Sequence, residues 1–228
     1  MFSGKGRTVV VSGMANPSAS YLLEQGFNVV LCAHSQEQAD VMSAQMPEEF
    51  KDRFMALYCM IGEPEDTAML IEKTLERFGT FNVLAVGIGA LENESFEETD
   101  TEKFLKTVAS HIDNVYTAMK LCIPTMLRFE APRIINYTVV DGMCGHFDFG
   151  VGSAVGKGGL IGLTRAVALQ YARTGLTANC IAIGAMETLR KRTDEEIERL
   201  SKAIPLGRVA TGADIAPIVC FLASEESR

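Results

Sequence analysis

Ser153 and Lys157 are the two side chains whose types and spacing suggest covalent chemistry. Residues at positions i and i+4 share one face of a helix, so the two would lie one turn apart in a helical segment. A serine beside a lysine is suited to acyl transfer, provided that the lysine is desolvated and an oxyanion hole lies nearby. The sequence indicates neither condition. A lysine that caps a packed helix, or extends from it to solvent, is the alternative interpretation.

His111 is a second candidate, because an imidazole paired with His146 or Asp141 would form an acid/base site. Histidines that are hydrogen-bonded in the interior are the alternative. Cys144 lies close to His146 in the sequence and could serve as a nucleophile or a metal ligand. No third ligand or orienting partner accompanies it, so we predict no metal site.

The elements that would bring these residues together alternate along the chain between short apolar strands and longer helices. This alternation is typical of a Rossmann-type α/β fold with a doubly wound parallel sheet. No linker, repeat or low-complexity segment interrupts it, so residues 1–228 are predicted to form a single domain. The predicted strands are Thr8–Ser12, Asn28–Cys32, Phe54–Cys59, Val83–Val86, Arg133–Val139 and Thr177–Ile183, and the predicted helices are Ser18–Gln25, Glu37–Met46, Glu65–Phe78, Thr101–Arg128 and Val151–Arg173.

Composition restricts the classes of function. The chain has 228 residues, of which 47% are hydrophobic, and its formal net charge is −8. An acidic chain without a basic cluster is a poor candidate for binding nucleic acid or an anionic membrane. No apolar run approaches the length needed to span a bilayer. The six cysteines form no CxxC pair, which favours free thiols in a reducing compartment, and we predict a cytoplasmic protein.

The segment from Val151 to Arg173 combines an apolar face with a face of small residues, many of them glycine. Glycine inside a helix costs about 1 kcal/mol relative to alanine, so this run predicts the close approach of another backbone. The segment and the strand after it resemble those of the short-chain dehydrogenase/reductase family. The residues that fit the family's pattern are Lys157, Gly159, Leu160, Gly162, Leu163, Thr164, Arg165 and Asn179, while Ser153 stands at the position of the family's catalytic tyrosine.

The resemblance extends to the segment from Pro205 to Ser224, which is similar to the family's penultimate segment. The family normally continues into a seventh strand. The sequence given stops at Arg228, so we expect the seventh strand to be missing from it. This would leave a sheet edge, or an assembly surface, that differs from the family's.

The resemblance implies a dinucleotide site at the first strand–turn–helix, where family members have a glycine-rich turn. Here Ser12 and Gly13 are followed by a shortened turn without the other glycines. The family's adenine-contacting aspartate aligns with Met60, and its turn after the fourth strand keeps only Gly89. The second strand ends without a carboxylate, and His34 stands where members that prefer NADP often have arginine. These replacements predict that the chain binds no cofactor. Compensation by Ser12, Asn16, Ser18 or Ser20 is the alternative.

The catalytic positions that the resemblance implies are also changed. The family's asparagine becomes His111, its serine becomes Val139 and its tyrosine becomes Ser153, so Lys157 alone remains. Thr138 adjoins Val139, but successive residues of a strand point to opposite faces, so Thr138 would stand in only if the register differed by one residue. A serine hydroxyl is too weakly acidic to replace a phenol directly.

These losses predict a catalytically silent subunit. It would assemble with an active paralogue, which would supply the NAD site, in a heterotetrameric hydroxyacyl-CoA-type dehydrogenase. The resemblance implies contacts through helices 101–128 and 151–173, by which family members associate. Two alternatives stay open. One is an active oxidoreductase with a rearranged NAD(P) site, and the other is a cofactor-independent hydrolase or lyase that uses Ser153, Lys157 and His111.

Overall fold

The fold is a six-stranded parallel sheet with helices on both faces, as the sequence predicts. It is seen in a computed structural model that describes residues 3–13, 16–87, 95–145, 150–187 and 193–227. The strand order is β3-β2-β1-β4-β5-β6, and every neighbouring pair is parallel. The strands are β1 (Thr8–Gly13), β2 (Asn28–Ala33), β3 (Phe54–Tyr58), β4 (Val83–Gly87), β5 (Arg133–Val139) and β6 (Thr177–Ile183).

Eight α-helices connect or follow the strands within the described ranges. They are α1 (Ala19–Glu24), α2 (Gln36–Gln45), α3 (Pro64–Phe78), α4 (Thr101–Met126), α5 (Asp141–Cys144), α6 (Val151–Tyr171), α7 (Asp194–Ala203) and α8 (Gly212–Ala223). The helix α7 begins at a capping box, since the hydroxyl of Thr193 accepts from the backbone N–H of Glu196 and the Glu196 carboxylate accepts from the backbone N–H of Thr193. The short helix α5 contains Cys144.

Two apolar layers hold the helices to the sheet. Alternate residues of a strand face opposite sides, so Val9 and Val11 of β1 pack with α1 and α8, while Val10 packs with the layer beneath α3 and α4. Fully buried valines in this pattern are typical of a parallel sheet that is covered on both faces. The strand order reverses between β1 and β4, and ligands of doubly wound sheets bind at this switch point, beyond the carboxyl ends of the strands.

The glycine-rich face of α6 packs against α4 of the same chain. A Cβ atom added at Gly152 would lie 2.9 Å from Cβ of Thr107, and one added at Gly156 would lie 2.7 Å from Cβ of His111. At Gly159 the distance to Cδ1 of Ile112 would be 2.7 Å. The predicted close approach is therefore confirmed, but it is intramolecular. The glycines bring α6 near enough to α4 for their polar side chains to meet.

The strand β6 is only half-buried, although the sequence predicts a buried strand. Six of its seven residues are of intermediate exposure, and Ile183 alone is buried. No strand of the described ranges pairs with the outer edge of β6, which ends the sheet. An edge strand keeps one side of its backbone and part of its side chains accessible, and this position accounts for the exposure.

Candidate active site and family

The end of β1 forms a tight turn that only glycine fits. Gly13 has a φ of 69°, in the left-handed region, and a Cβ atom there would collide with the carbonyl oxygen of Gly87 on β4. Gly13 and Gly87 are also paired in the register of the two strands. Ser12, which precedes the turn, is buried. The predicted site position at Gly13 thus lies at the switch point of the sheet.

The short 3₁₀ helix Asn16–Ser18 follows this turn and leads directly into α1. Within the described residues, the buried atoms Oδ1 of Asn16 and Oγ of Ser18 have no hydrogen-bond partner. A buried polar atom left without a partner costs about 1–3 kcal/mol. The side chain of Pro17 lies against α8, where a Cβ at Gly212 would be 2.6 Å from Pro17 Cβ. The contact with α8 therefore fixes the position of this segment, while two of its polar atoms have no hydrogen-bond partner.

These two groups fit a dinucleotide. In a doubly wound sheet the pyrophosphate lies at the first strand–turn–helix, which is where Gly13, Asn16 and Ser18 come together. The Ser18 hydroxyl can donate a hydrogen bond to a phosphate oxygen, and so can the amide of Asn16 after a half-turn of its carboxamide. The compensation that the sequence left open is thus available at Asn16 and Ser18.

The ends of β2 and β3 have no carboxylate for an adenosine ribose. Ala33 ends β2, His34 after it is exposed, and Ser35 caps α2 by accepting from the backbone N–H of Gln38 at 3.1 Å. Met60 is 43% exposed, and its backbone N–H donates to the carboxylate of Asp66 at 2.7 Å. This part of the site therefore presents an exposed apolar side chain and a histidine to a ligand.

His111 and Ser153 meet between α4 and α6. The Nε2 atom of His111 lies 3.1 Å from Oγ of Ser153, within hydrogen-bond distance. Both residues are buried, with exposures of 2% and 0%. Gly156 makes this contact possible, because its missing side chain leaves room for the imidazole. Sequence analysis named both residues, but it paired His111 with His146 or Asp141 rather than with Ser153.

Lys157 forms a buried ion pair with Asp141. Its Nζ lies 3.3 Å from Oδ2 of Asp141, and both side chains are at most 5% exposed. The helix α5 places this carboxylate, and Gly142 allows the close contact because a Cβ there would come within 2.8 Å of Lys157. Two opposite charges removed from water neutralise each other, so the lysine adds no net charge to the site. Neither interpretation of Lys157 from the sequence, a capping role or a Ser–Lys nucleophilic pair, included this contact with Asp141.

Thr138 and Val139 do not restore the missing serine. The hydroxyl of Thr138 donates to the carbonyl oxygen of Lys157 at 3.1 Å, which fastens β5 to α6. Val139 is partly exposed and apolar. The predicted bounds of this strand are confirmed, since β5 runs from Arg133 to Val139.

Some predicted positions lie outside the described residues, namely Gly89 and His146. Cys144 is exposed, and no group of three potential metal ligands occurs in the part of the chain that the structure describes. Asp141 was missed as the partner of Lys157. A carboxylate that follows a strand, with a glycine after it, was the available signal, but its distance from Lys157 in the sequence concealed the contact.

Comparison with known proteins identifies the family. The model of a family described as enoyl-(acyl carrier protein) reductase matches residues 9–228, nearly the whole chain. The protein belongs to the short-chain dehydrogenase/reductase family. The resemblance seen in the sequence is thereby confirmed, and the single α/β domain with a parallel sheet agrees with it.

Several curated dehydrogenases and reductases are similar to this short-chain dehydrogenase/reductase. A 3-oxoacyl-[acyl-carrier-protein] reductase from Staphylococcus aureus is 28% identical over 220 residues, 95% of this chain and 88% of the relative. A 7alpha-hydroxysteroid dehydrogenase from Clostridium sardiniense is 27% identical over 233 residues, 98% of this chain and 88% of the relative.

Solved structures share the fold. A short-chain oxidoreductase from Pseudomonas aeruginosa, solved with NADPH and described as containing an atypical catalytic center, has a TM-score of 0.91 at 21% identity. The alignment covers 100% of this chain and 93% of that one. A 3-ketoacyl-(acyl-carrier-protein) reductase from Brucella melitensis, solved with NADH, has a TM-score of 0.84 at 20% identity and covers 99% and 93% of the two chains.

Two predictions made from the sequence are wrong in this light. The chain was expected to be a silent subunit and to bind no cofactor, yet its relatives are reductases and dehydrogenases. Structures of the same fold contain NADPH or NADH, and one of them combines NADPH with an atypical catalytic center. Departure from the family's motif is therefore not a sufficient reason to infer inactivity. A motif count also overlooks contacts such as that of Asp141 with Lys157, which becomes visible only in three dimensions.

Two further findings concern the helices and the cysteines. None of the helices in the described ranges is both long and apolar enough to cross a bilayer. All six cysteines lie in described residues and are free thiols, and Cys144 alone among them is exposed. Burial raises the pKa of the Cys122 thiol to about 12, with a further contribution from Cys59, so this thiol stays protonated and unreactive.

Proposed function

We propose that the protein is an NAD(P)-dependent oxidoreductase that interconverts a carbonyl compound and a secondary alcohol, with a rearranged cofactor and catalytic site. The observation that carries the proposal is the pair of unsatisfied polar atoms on Asn16 and Ser18 beside the tight turn at Gly13. They lie where a doubly wound sheet binds a dinucleotide. The relatives named above, which act on 3-oxoacyl groups or a hydroxysteroid, support the carbonyl–alcohol couple.

Different residues of this chain would bind the cofactor and exchange the proton. Gly13, Asn16 and Ser18 would bind the phosphates, and the surface around Met60 would face the adenosine end. A nicotinamide nucleotide bound there gives up or receives a hydride. The polar cluster between α4 and α6 would exchange the accompanying proton with the oxygen of the substrate.

The helices α4 and α6 are also proposed as the contact surface for a second subunit of the same family. The exposed apolar residues Leu105 and Tyr116 of α4, and Val155 and Leu169 of α6, support this assignment, with exposures of 59%, 48%, 48% and 79%. Light scattering on the purified chain measures the assembly directly. A monomer at micromolar concentration, together with a failure to bind family members encoded beside it, would contradict the proposal.

Calorimetric titration with NADPH and NADH tests cofactor binding, and Gly13→Ala with Gly79→Ala forms a matched pair. Both glycines have a φ near 70°, but only a side chain at position 13 meets a neighbouring backbone. We expect binding by the wild type at micromolar concentrations and at least a tenfold loss of affinity in Gly13→Ala. Gly79→Ala carries the same backbone strain, of about 1 kcal/mol, and should keep its affinity. Absence of binding of both nucleotides to the wild type would refute the proposed function.

A further inference from the structure

Ser153 and His111 together occupy the place where the family has its phenol. The 3.1 Å contact between His111 Nε2 and Ser153 Oγ joins two buried side chains that lie on different helices. Both side chains are almost fully buried, so a proton can pass directly between them along this hydrogen bond. Ser153 itself lies in the first turn of α6, next to the tight contact of that helix with α4.

A serine hydroxyl cannot act alone as the acid, because its own acidity is too low at neutral pH. It can, however, relay a proton that arrives at the same moment from an imidazolium. Histidine has an unperturbed pKa of about 6.5, which suits a group that must both give and take a proton near neutral pH.

Among the residues that the structure describes around the imidazole, the charges permit this exchange. From α6 the ring meets the uncharged Ser153, and Lys157 one turn further on is neutralised by Asp141 of α5. The residues one turn away on α4, Thr107, Val108, Asn114 and Val115, carry no charge, and the segment before α3 contributes Gly62 against Asn114. An unpaired lysine would oppose protonation of the histidine, whereas a neutral ion pair does not.

We propose that Ser153 is the catalytic acid/base of this protein and that His111 is the positioning residue through which the proton passes. In the reduction, a bound reduced nicotinamide would supply the hydride to the carbonyl carbon and be oxidised, and the carbonyl oxygen would receive the proton of Ser153. Oγ of Ser153 takes the proton from Nε2 of the His111 imidazolium at the same time. His111 then regains a proton from solvent. Alcohol oxidation runs through the reverse steps, and this inference rests on the proposed function.

A first test needs no cofactor. Proton NMR of the full-length chain follows the three imidazoles between pH 5 and 8, and the variants His34→Gln and His146→Gln assign the signals. We expect His111 to titrate in this range and its chemical shift to change in Ser153→Ala. A His111 imidazole that stays neutral throughout, or that does not respond to Ser153→Ala, would overturn the inference.

A second test measures the reduction of acetoacetyl-CoA, a 3-oxoacyl thioester, with NADPH or NADH. We expect kcat to fall about 10²–10⁴-fold in Ser153→Ala and in His111→Gln, while the dissociation constant of the nucleotide stays unchanged. His111→Gln should also lose the inflection of the pH–rate profile near pH 6.5, an effect that a purely structural role would not produce.

Thr164→Val is the structural control for these variants. Thr164 lies on the same helix and accepts a buried hydrogen bond from Asn136 at 2.8 Å, but it is not part of the proposed relay. It should lower stability and leave the pH–rate profile unchanged. If the nucleotide binds and both relay variants keep their kcat, the relay is wrong and the proposed function stands. If the wild type binds no nucleotide, the proposed function itself fails and the relay fails with it.

Discussion

Charged residues are buried at both ends of the sheet, but the partners of these residues differ between the two ends. At the amino end, Arg7 donates to the backbone carbonyls of Ala223 and Ala131 at 3.1 and 2.7 Å. Arg133 likewise donates to the carbonyls of Ser224 and Pro132, at 3.2 and 3.1 Å. At the carboxyl end, the partners are side chains from three different helices, as in the Lys157–Asp141 pair.

We infer from this difference that the cluster at the amino end has a structural role, whereas the cluster at the carboxyl end can take part in chemistry. Arg7 also pairs with the exposed carboxylate of Glu225 at 3.7 Å, and Arg133 also donates to the hydroxyl of Ser227. Most of the contacts are nevertheless to backbone carbonyls, which cannot change protonation, so the two arginines tie the end of α8 and the segment after it to β1 and β5. Burial lowers the pKa of Arg7, and the positive charge of Arg133 lowers it further, so the two arginines are held together at a cost. Side-chain partners can exchange protons, and at the carboxyl end the unsatisfied atoms of Asn16 and Ser18 lie in the segment that precedes α1.

Lys157→Met would break the carboxyl end most severely. It leaves the buried carboxylate of Asp141 without its counter-charge, and we expect a loss of about 3–5 kcal/mol in the free energy of unfolding. The double variant Lys157→Met/Asp141→Leu removes both charges and should recover most of this loss. Urea unfolding followed by circular dichroism measures both. A single variant that loses less than about 1 kcal/mol would show that the pair is solvated or absent.

Arg133→Met would test the amino end. It removes the guanidinium donor from the carbonyls of Ser224 and Pro132, which keep Ser227 and Thr177 as donors. We expect a loss of about 1–3 kcal/mol in the free energy of unfolding, because relief of the repulsion with Arg7 offsets part of the damage. Nucleotide affinity and kcat of the folded fraction should not change. Calorimetry measures the nucleotide affinity, and urea unfolding measures the stability. An altered nucleotide affinity in this variant would contradict the distinction between the two ends.

Arg208 and Asp214 form an exposed ion pair, which can be compared with the two buried clusters. Breaking this pair has the smallest expected effect on stability. Both guanidinium hydrogen bonds to the carboxylate, at 2.7 and 2.6 Å, lower the pKa of Asp214, and the backbone N–H of Thr211 adds to this shift. A carboxyl group with a lowered folded-state pKa stabilises the protein above its unfolded pKa of about 4, and this contribution disappears as the pH falls through the folded value.

Arg208→Gln should therefore be slightly less stable than the wild type at pH 7, and the difference should shrink as the pH is lowered below about 4. Thermal unfolding at a series of pH values measures it, and the effect should weaken in high salt because the pair is exposed. A difference that grows towards acid pH would contradict the sign of the shift.

The strands and helices were predictable because each one is specified locally. Buried valine runs and the alternation of periodicities fixed all six strands to within one residue at either end, and β5 and β6 had the bounds expected. The individual positions of His111, Ser153 and Lys157 followed from spacing within the family's pattern. The inactivity inferred from those positions was wrong, because replacing one motif residue says nothing about which other residues come near.

The sequence by itself determined the doubly wound sheet and the candidate residues, since these depend on local periodicity and on contacts close along the chain. Only the tertiary structure decided which of these residues are partners. The glycines of α6 face α4, the imidazole of His111 faces Ser153, and Asp141 reaches Lys157, because packing of separate helices sets these distances to within the few ångströms over which a hydrogen bond or ion pair forms.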